Sequence, residues 1–298
     1  MAIRVLGTGS YLPPRVVTNA DIAAALDTSD EWIFSHTGIH ARHVAEDGET
    51  TSTMAAKAAK AALDMAKVDP SEIGLIVLAT STPDYMTFPS TACVVQAMLG
   101  CENAGAFDLQ AACAGFIYAL EQARGFVNFY PDKKAIVIGA ETLTRIVDWS
   151  DRASCILFGD GAGAVVLGND EAPGVASTKT AAHTILGADG SGSGFITRSG
   201  GTKEALPINP ETGVPMPAQP IVPKMTLMGH DVFAFAVRAL SRVASQLCER
   251  MGTTPADIDR VFAHQANGRI IEAVARRMKL PLDKFWLNLE TTGNTSGA

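Results

Sequence analysis

The sequence lacks the features that mark secreted and membrane-spanning proteins. Its five cysteines form no Cys-x-x-Cys pair and no spacing typical of a disulfide framework, which favours a reduced, cytoplasmic protein. The longest apolar runs, such as Ile73–Ala79, are too short to cross a bilayer, so no membrane association is expected. The first residues contain no basic segment followed by an apolar one, and no signal peptide is therefore predicted.

A basic character, a metal-ligand cluster and a dinucleotide motif are also missing. The formal net charge of −7 argues against nucleic acid as a general partner. The histidines within residues 36–43 have no accompanying set of carboxylates or thiols, so no metal site is predicted. Gly7-Thr-Gly has no third glycine at the required offset. One local basic patch remains, at residues 269–284, for which a solvated helix face is the alternative.

Short β-rich runs alternate with alanine-rich helical stretches, a pattern that predicts an α/β fold. A hydrophobic content of 47% over 298 residues is sufficient for a substantial core. Strands are predicted at Ile3–Leu6, Gly74–Ala79, Gly105–Leu109, Ala135–Ile138, Gly163–Leu167, Arg260–Ala263 and Phe285–Leu289. Helices are predicted at Thr51–Ala66, Pro89–Leu99, Ala114–Tyr130, Val232–Met251 and Arg269–Met278.

A weak internal repeat divides the chain. In both copies, residues 67–79 and 252–264, a Pro-x-x-Ile turn and a strand follow a long helix. Two equivalent halves would bring the ends of matching strands together, and with them Cys113, His264 and Asn294. We predict a first half at residues 1–170, a Gly/Pro-rich insertion and linker at 171–228, and a second half at 229–298. Because the second copy stops soon after Asn294, the second half is expected to be incomplete.

Cys113 stands where a strand-like run ends and an apolar helix pattern begins. At the first turn of a helix, the dipole and the free amide groups favour an anion, which lowers the pKa of a thiol. The same amides suit a developing oxyanion. The alternative is a small buried hydrophobic residue, which is what most free cysteines are. Taken alone, His264 at a strand end could be a hydrogen-bonded structural residue, and Asn294 could be an ordinary turn residue.

Three motifs taken together resemble one family. Cys113-Ala-Gly-Phe, His264-Gln-Ala-Asn and Gly293-Asn-Thr-Ser resemble the Cys, His and Asn motifs of the β-ketoacyl-acyl carrier protein synthase III family of thiolase-like condensing enzymes. Flanking matches such as Phe158-Gly-Asp-Gly-Ala-Gly extend the resemblance over essentially the whole chain. Asn294 disfavours a Cys-His-Cys thiolase and a Cys-His-His elongating synthase.

The resemblance implies a five-layered αβαβα fold built from two pseudo-equivalent halves, and a homodimer. It also implies that the C-terminal half is incomplete, because family members continue beyond the Asn motif into a helix and two strands. The substrates would be an acyl-CoA, which is a CoA thioester, and malonyl-acyl carrier protein. No separate cofactor would be needed.

The resemblance further implies a role for each site residue. Cys113 would accept the acyl group from acyl-CoA, and a decarboxylative Claisen condensation with malonyl-acyl carrier protein would follow. His264 and Asn294 would donate hydrogen bonds to the malonyl thioester carbonyl. The remaining implied contacts are Trp32 and Arg152 on the CoA adenine, Gly229 and Asn267 on pantetheine, Arg269 on the carrier protein, and Phe88 in the partner subunit's acyl pocket.

Some positions depart from the family pattern and leave the acyl donor open. His36 stands where the family usually has Arg, and Ala234 stands where some members have Lys. A starter-unit condensing enzyme of secondary metabolism is therefore one alternative. An acyl-CoA-dependent acyltransferase to oxygen or nitrogen, working without decarboxylation, is another. A non-catalytic subunit that binds acyl-CoA or a carrier protein is a third.

Overall fold

The computed structural model describes residues 3–169, 183–199, 208–213 and 225–298. The described strands are β1 (Arg4–Tyr11), β2 (Val16–Thr18), β3 (Ala41–His43), β4 (Ile73–Ala79), β5 (Gly105–Leu109), β6 (Lys134–Thr142), β7 (Asp160–Gly168), β8 (Ile196–Arg198) and β9 (Met225–Leu227). The described helices are α1 (Asn19–Ala23), α2 (Asp30–Thr37), α3 (Thr51–Ala66), α4 (Thr91–Leu99), α5 (Gly115–Phe129), α6 (Arg152–Cys155), α7 (Gly229–Met251), α8 (Gly268–Met278) and α9 (Leu289–Thr292).

A five-stranded mixed sheet forms the centre of the first half, in the order β1-β7-β6-β4-β5. Strand β4 pairs in parallel with β5 and β6, whereas β7 pairs antiparallel with β1 and β6. The residues of β6 are buried throughout, as expected for a central strand that is covered on both faces. The predicted α/β class is therefore confirmed for this half.

Helix α3 covers one face of the sheet and α5 covers the other. Alanine on α3 lets the helix approach β1 closely: a Cβ atom on Gly7 would lie 2.3 Å from the Ala62 carbonyl oxygen, and one on Gly9 would lie 2.2 Å from that of Ala58. On the opposite face, alanine and valine side chains of α5 pack against β4 and β6. The first half is thus a helix–sheet–helix sandwich with a close-packed core.

The second half is mainly helical within residues 225–298. Apolar side chains of α7 and α8 pack together, with Ile271 and Val274 of α8 buried against Val237 of α7. The two predicted strands Arg260–Ala263 and Phe285–Leu289 are wrong as strands, because they meet in a single parallel bridge between Val261 and Phe285. A β-strand pairs with a neighbouring strand along several residues, and the described residues contain no such neighbour for these two segments.

The predicted insertion falls partly on residues 170–182, 200–207 and 214–224, which lie outside the described residues. The boundaries at 170 and 229 therefore stay predictions. Among the residues that the structure describes, no helix is both long enough and apolar enough to span a membrane.

The end of the chain lies directly on the central sheet, and glycines make this approach possible. A Cβ atom on Gly139 of β6 would lie 1.9 Å from the carbonyl oxygen of Gly297. One on Gly159 would lie 2.2 Å from that of Thr292. Gly293 has φ 66° and ψ −170°, a conformation that is essentially restricted to glycine. Backbone-to-backbone contact therefore fixes the segment that carries Asn294.

We expect Gly139→Ala to destabilise the protein by about 1–3 kcal/mol, because the new methyl group meets a backbone carbonyl that has little room to move. The matched control is Gly125→Ala within α5, where an added Cβ meets nothing within 4 Å. That change should stabilise the helix by about 0.5–1 kcal/mol. Urea unfolding monitored by circular dichroism measures both. Equal stability of the two variants would contradict the proposed close contact.

Candidate active site

Cys113 lies in a short 3-10 turn, Ala112–Ala114, between the end of β5 and the start of α5. Ala112 has φ 45°, a left-handed backbone conformation that is strained for a residue with a side chain. Gly115 allows the helix start to contact β4, since a Cβ there would lie 3.0 Å from that of Ala79. The turn holds the half-buried Cys113 thiol at the N-terminal end of α5, as predicted.

His264 reaches Cys113 from the second half of the chain. His264 comes three residues after Val261, which forms a bridge with Phe285, and its imidazole is half-buried. The imidazole interacts with the Cys113 thiol through its charge and through a hydrogen bond. Its Nε2 atom is buried and makes no hydrogen bond of regular geometry to a described residue. A ring nitrogen in that position can serve an incoming substrate oxygen.

Asn294 is 5% exposed and is fixed by its own backbone. Its N–H donates to the Leu157 carbonyl at 2.8 Å, and its carbonyl accepts from the Gly159 N–H at 3.0 Å. The side-chain Oδ1 accepts from the backbone N–H of Ser296 at 2.9 Å. This bond uses the amide oxygen and sets the orientation of the carboxamide, so that Nδ2 remains as a donor for a substrate.

The Cys113 thiol and the His264 imidazole shift each other's pKa. Burial raises the pKa of the Cys113 thiol, but the charge of His264 and hydrogen bonds from His264 and Ser296 outweigh it, so that the pKa lies below its usual value. Burial lowers the pKa of His264, but the Cys113 charge and hydrogen bonds to Cys113 and to the Ser296 backbone raise it overall. The site therefore favours a thiolate beside an imidazolium.

Glu141 is a site residue that the motif search missed. It lies at the end of β6, is fully buried, and acts electrostatically on Cys113. Burial raises its pKa to about 7, against the opposing effect of hydrogen bonds from Thr82, Ser81, Thr80 and Ser296. One signal was present in the sequence, since a carboxylate ends the otherwise apolar run Ala135–Ala140.

Trp32 lies against two neighbouring side chains. The Arg152 guanidinium carbon lies 4.6 Å from the indole centroid, and the His36 ring stacks on the indole at a centroid distance of 4.3 Å. Arg152 also donates to the Asp27 carbonyl at 2.8 Å. An aromatic ring cannot fit between Trp32 and Arg152 at this spacing. An adenine between them, as the resemblance implies, therefore requires the guanidinium to move.

Asn267 contacts α2, the helix that carries Trp32, and Arg269 follows it in the first turn of α8. Asn267 caps α8 by accepting the Arg269 N–H at 2.8 Å, and its Nδ2 donates to the His36 carbonyl of α2 at 2.9 Å. The Arg269 side chain is exposed. Gly229 is exposed at the first turn of α7, and Phe88 is 81% exposed in the loop before α4. None of the described contacts joins these last two residues to Cys113.

Two family models match the chain in the regions that carry the site. The model described as 3-oxoacyl-[acyl-carrier-protein (ACP)] synthase III matches residues 107–190, and its C-terminal counterpart matches residues 248–298. The first range contains Cys113 and Glu141, and the second contains His264 and Asn294.

A curated relative and two solved structures match nearly the whole chain. The β-ketoacyl-[acyl-carrier-protein] synthase III of Caldanaerobacter subterraneus subsp. tengcongensis is 45% identical over 298 residues, which cover 100% of this chain and 86% of the relative. The 3-oxoacyl-[acyl-carrier-protein] synthase III structure from Aquifex aeolicus VF5 is 41% identical with a TM-score of 0.80 over 100% of this chain and 87% of its own. The priming β-ketosynthase of the R1128 polyketide pathway is 36% identical with a TM-score of 0.85 over 99% and 84%.

The fold and these similarities define a condensing enzyme with a thiolase-like, mixed α/β fold. The chain belongs to the β-ketoacyl-[acyl-carrier-protein] synthase III family, and it is an acyltransferase of that type. The family prediction made from the three motifs is confirmed. The expectation that the C-terminal half is incomplete is not confirmed by these matches.

We expect His264→Ala to raise the pKa of the Cys113 thiol by about one unit or more, because the stabilising positive charge is lost. Alkylation of Cys113 by iodoacetamide at neutral pH should slow by roughly tenfold. Peptide mass spectrometry follows Cys113 in a Cys93→Ser background, since Cys93 is an exposed thiol that would react as well. The control is His230→Ala on the exposed start of α7. If both variants react at the wild-type rate, the charge pair is refuted.

Proposed function

We propose that this enzyme transfers an acyl group from acyl-CoA to Cys113 and then condenses it with malonyl-acyl carrier protein, the reaction that starts fatty acid synthesis. The observation that carries the proposal is that Cys113 and His264 stabilise each other as a thiolate and an imidazolium. The carboxamide of Asn294 belongs to the same site, and its oxygen is already bound by the Ser296 N–H. The family assignment supports the same chemistry.

In the first step the Cys113 thiolate attacks the carbonyl carbon of the acyl-CoA thioester. The bond between that carbon and the CoA sulfur breaks, and the CoA thiolate takes the proton held by His264. The acyl group remains on the Cys113 sulfur as a thioester. The lowered thiol pKa raises the fraction of reactive thiolate at neutral pH, which favours this step.

In the second step the malonyl thioester carbonyl accepts hydrogen bonds from Nε2 of His264 and Nδ2 of Asn294. Loss of carbon dioxide leaves an enolate, whose oxygen these two donors stabilise. The enolate carbon attacks the acyl-Cys113 carbonyl, and the β-ketoacyl product leaves as the thiolate is restored. A single preorganised donor to an oxyanion is typically worth about 2.7–4 kcal/mol.

The orientation of Asn294 favours decarboxylative condensation over simple acyl transfer to oxygen or nitrogen. Acyl transfer needs the thiol and a base, but it has no use for a second donor to an enolate. Ser296 holds the Asn294 oxygen and leaves the amide NH₂ as that second donor. A starter-unit role in secondary metabolism is the second candidate, because the R1128 priming β-ketosynthase is 36% identical.

The proposed substrate contacts follow the placement of the side chains. Trp32 and Arg152 would receive the adenine of CoA once Arg152 moves, and Asn267 and Gly229 would contact pantetheine. Exposed Arg269 would meet the acidic carrier protein, which gives a salt-sensitive association. No cofactor beyond the CoA thioester substrates is predicted.

A homodimer is also part of the proposal. Strand β5 is an edge of the sheet in the described residues, and Phe107 on it is 40% exposed. Nearby in the chain, Met86 and Phe88 are 68% and 81% exposed. An open edge flanked by exposed apolar side chains suits pairing with a second copy. We further propose the five-layered αβαβα arrangement, of which the first half supplies a helix–sheet–helix part. A cytoplasmic location stays a prediction from the free cysteines.

We expect Cys113→Ala to abolish acyl-enzyme formation, and His264→Ala and Asn294→Ala to slow condensation about a hundredfold or more. Mass spectrometry after mixing with acetyl-CoA reports the acyl-enzyme, and carbon dioxide release from labelled malonyl-acyl carrier protein reports condensation. Acylation without carbon dioxide release would favour the non-decarboxylating acyltransferase. If the wild type gains no mass on Cys113, a non-catalytic binding subunit is the better description.

A second test separates CoA binding from chemistry. Trp32→Ala removes the stacking surface and should raise KM for acyl-CoA about tenfold or more with little change in kcat. KM for malonyl-acyl carrier protein should not change. The control is Phe129→Ala, which truncates an aromatic ring that is 81% exposed at the end of α5. An unchanged KM for acyl-CoA in Trp32→Ala would exclude the adenine contact.

A further inference from the structure

The carboxyl group of Glu141 is buried beside the proposed nucleophile, yet the two steps above do not use it. Its Oε2 atom accepts from the Thr82 hydroxyl at 2.7 Å, from the Ser81 N–H at 3.0 Å and from the Thr80 hydroxyl at 3.3 Å. Its Oε1 atom accepts from the Ser81 N–H at 3.1 Å. A carboxylate oxygen can accept from more than one donor, so the carboxyl has capacity left for the Ser296 hydroxyl.

Ser296 connects Glu141 with Cys113. Its hydroxyl donates to the Cys113 Sγ atom at 3.7 Å. The same hydroxyl acts as a donor toward the Glu141 carboxyl and thereby lowers its pKa. A hydroxyl group carries a single proton and can donate to only one acceptor at a time. The thiol and the carboxyl therefore compete for this proton.

The fold leaves the Ser296 hydroxyl little freedom to avoid this competition. The backbone of Ser296 adopts φ 54°, and its N–H is held by the Oδ1 atom of Asn294. The following residue, Gly297, lies against Gly139 of β6 and against the Ala112 carbonyl oxygen, which a Cβ on Gly297 would approach to 3.2 Å. Ser296 is thus fixed on both sides, between the end of β6 and the Cys113 turn.

We propose that Glu141 is a positioning residue that sets, through the hydroxyl of Ser296, how strongly the Cys113 thiolate is stabilised. When Glu141 is protonated, its carboxyl no longer attracts the hydroxyl proton, and Ser296 donates to the Cys113 sulfur. When Glu141 is ionised, it accepts the Ser296 proton, and its charge also opposes the thiolate directly. The inference rests on Cys113 being the nucleophile of the proposed function.

Two other titratable groups belong to this environment. His264 faces Cys113 from the second half of the chain and stabilises the thiolate. Asp160 of β7 pairs with Thr142 at the end of β6, but its carboxylate accepts from the Ala45 N–H at 2.8 Å and from the Thr144 N–H at 2.9 Å. Since burial brings the pKa of Glu141 to about 7, its protonation changes near neutral pH, where the thiolate is needed.

The direct test is the pH dependence of Cys113 alkylation by iodoacetamide, followed by peptide mass spectrometry in the Cys93→Ser background. Glu141→Gln should lower the apparent pKa of the thiol by about half a unit or more, and so speed alkylation about threefold at neutral pH. Ser296→Ala should raise the pKa by about one unit, because the thiolate loses a donor. Combining both changes should reduce the effect of Glu141→Gln to less than half.

The matched control is Asp160→Asn, which also removes a buried carboxylate next to β6 but has no contact with Ser296 in the described residues. It should leave the thiol pKa unchanged. If Glu141→Gln has no effect, or has the same effect with and without Ser296→Ala, the hydroxyl does not transmit the influence of Glu141 and the proposal is overturned.

Two features keep this test decisive. Circular dichroism and thermal unfolding show whether each variant folds. If Glu141→Gln does not fold, Ser296→Ala decides alone, because it must both raise the thiol pKa and reduce the inflection near pH 7 in the alkylation profile to less than half its wild-type size. An undiminished inflection overturns the proposal. Alkylation needs no substrate, so a wild type that fails to release carbon dioxide refutes the proposed function without altering this result.

Discussion

The contact between Gly139 and Gly297 is the constraint on which the site depends. A strand in the middle of a buried sheet carries no side chain at that point, and the end of the chain lies directly on its backbone. Because Asn294 and Ser296 belong to the same short segment, this contact and the backbone bonds of Asn294 to Leu157 and Gly159 together set their positions. Adding a single methyl group at residue 139 would displace the carboxamide and the hydroxyl together.

The chemistry of the site depends on how one positive and two negative charges are shared in a small, poorly hydrated space. The thiolate is favoured by His264, opposed by Glu141 and assisted by the hydroxyl of Ser296. Each of these influences would be weak in water, and burial strengthens them. A carboxyl that is partly protonated at neutral pH therefore belongs in such a site, because it can oppose the thiolate without abolishing it.

The sequence could predict the residues whose signals are local. Cys113, His264 and Asn294 each stand in a short motif, and helix Thr51–Ala66 has the bounds predicted from its pattern. Glu141 was missed because its meaning depends on Ser296, which is distant in the sequence. The strands predicted at 260–263 and 285–289 were wrong because β-forming residues become a strand only beside suitable neighbours. Long-range placement, in short, is what a local pattern cannot supply.

The surroundings of Trp32 show how a departure from a family pattern can act on substrate choice. His36, at the position where the resemblance implies an arginine, stacks on the indole, and the Arg152 guanidinium also lies against it. Both side chains are exposed, and each combines its indole contact with one backbone carbonyl: Arg152 donates to that of Asp27 at 2.8 Å, and a ring nitrogen of His36 hydrogen-bonds with that of Trp32 at 2.7 Å. Because the His36 contacts lie within α2 itself, whereas Arg152 reaches the indole from α6, Arg152 is the side that yields to an incoming ring. In this arrangement the His36 ring supports the indole by stacking on it, where an arginine would contribute a permanent charge. For the proposed contact with CoA, residue 36 therefore supplies a stacking surface and lacks the permanent charge with which an arginine would attract the phosphates.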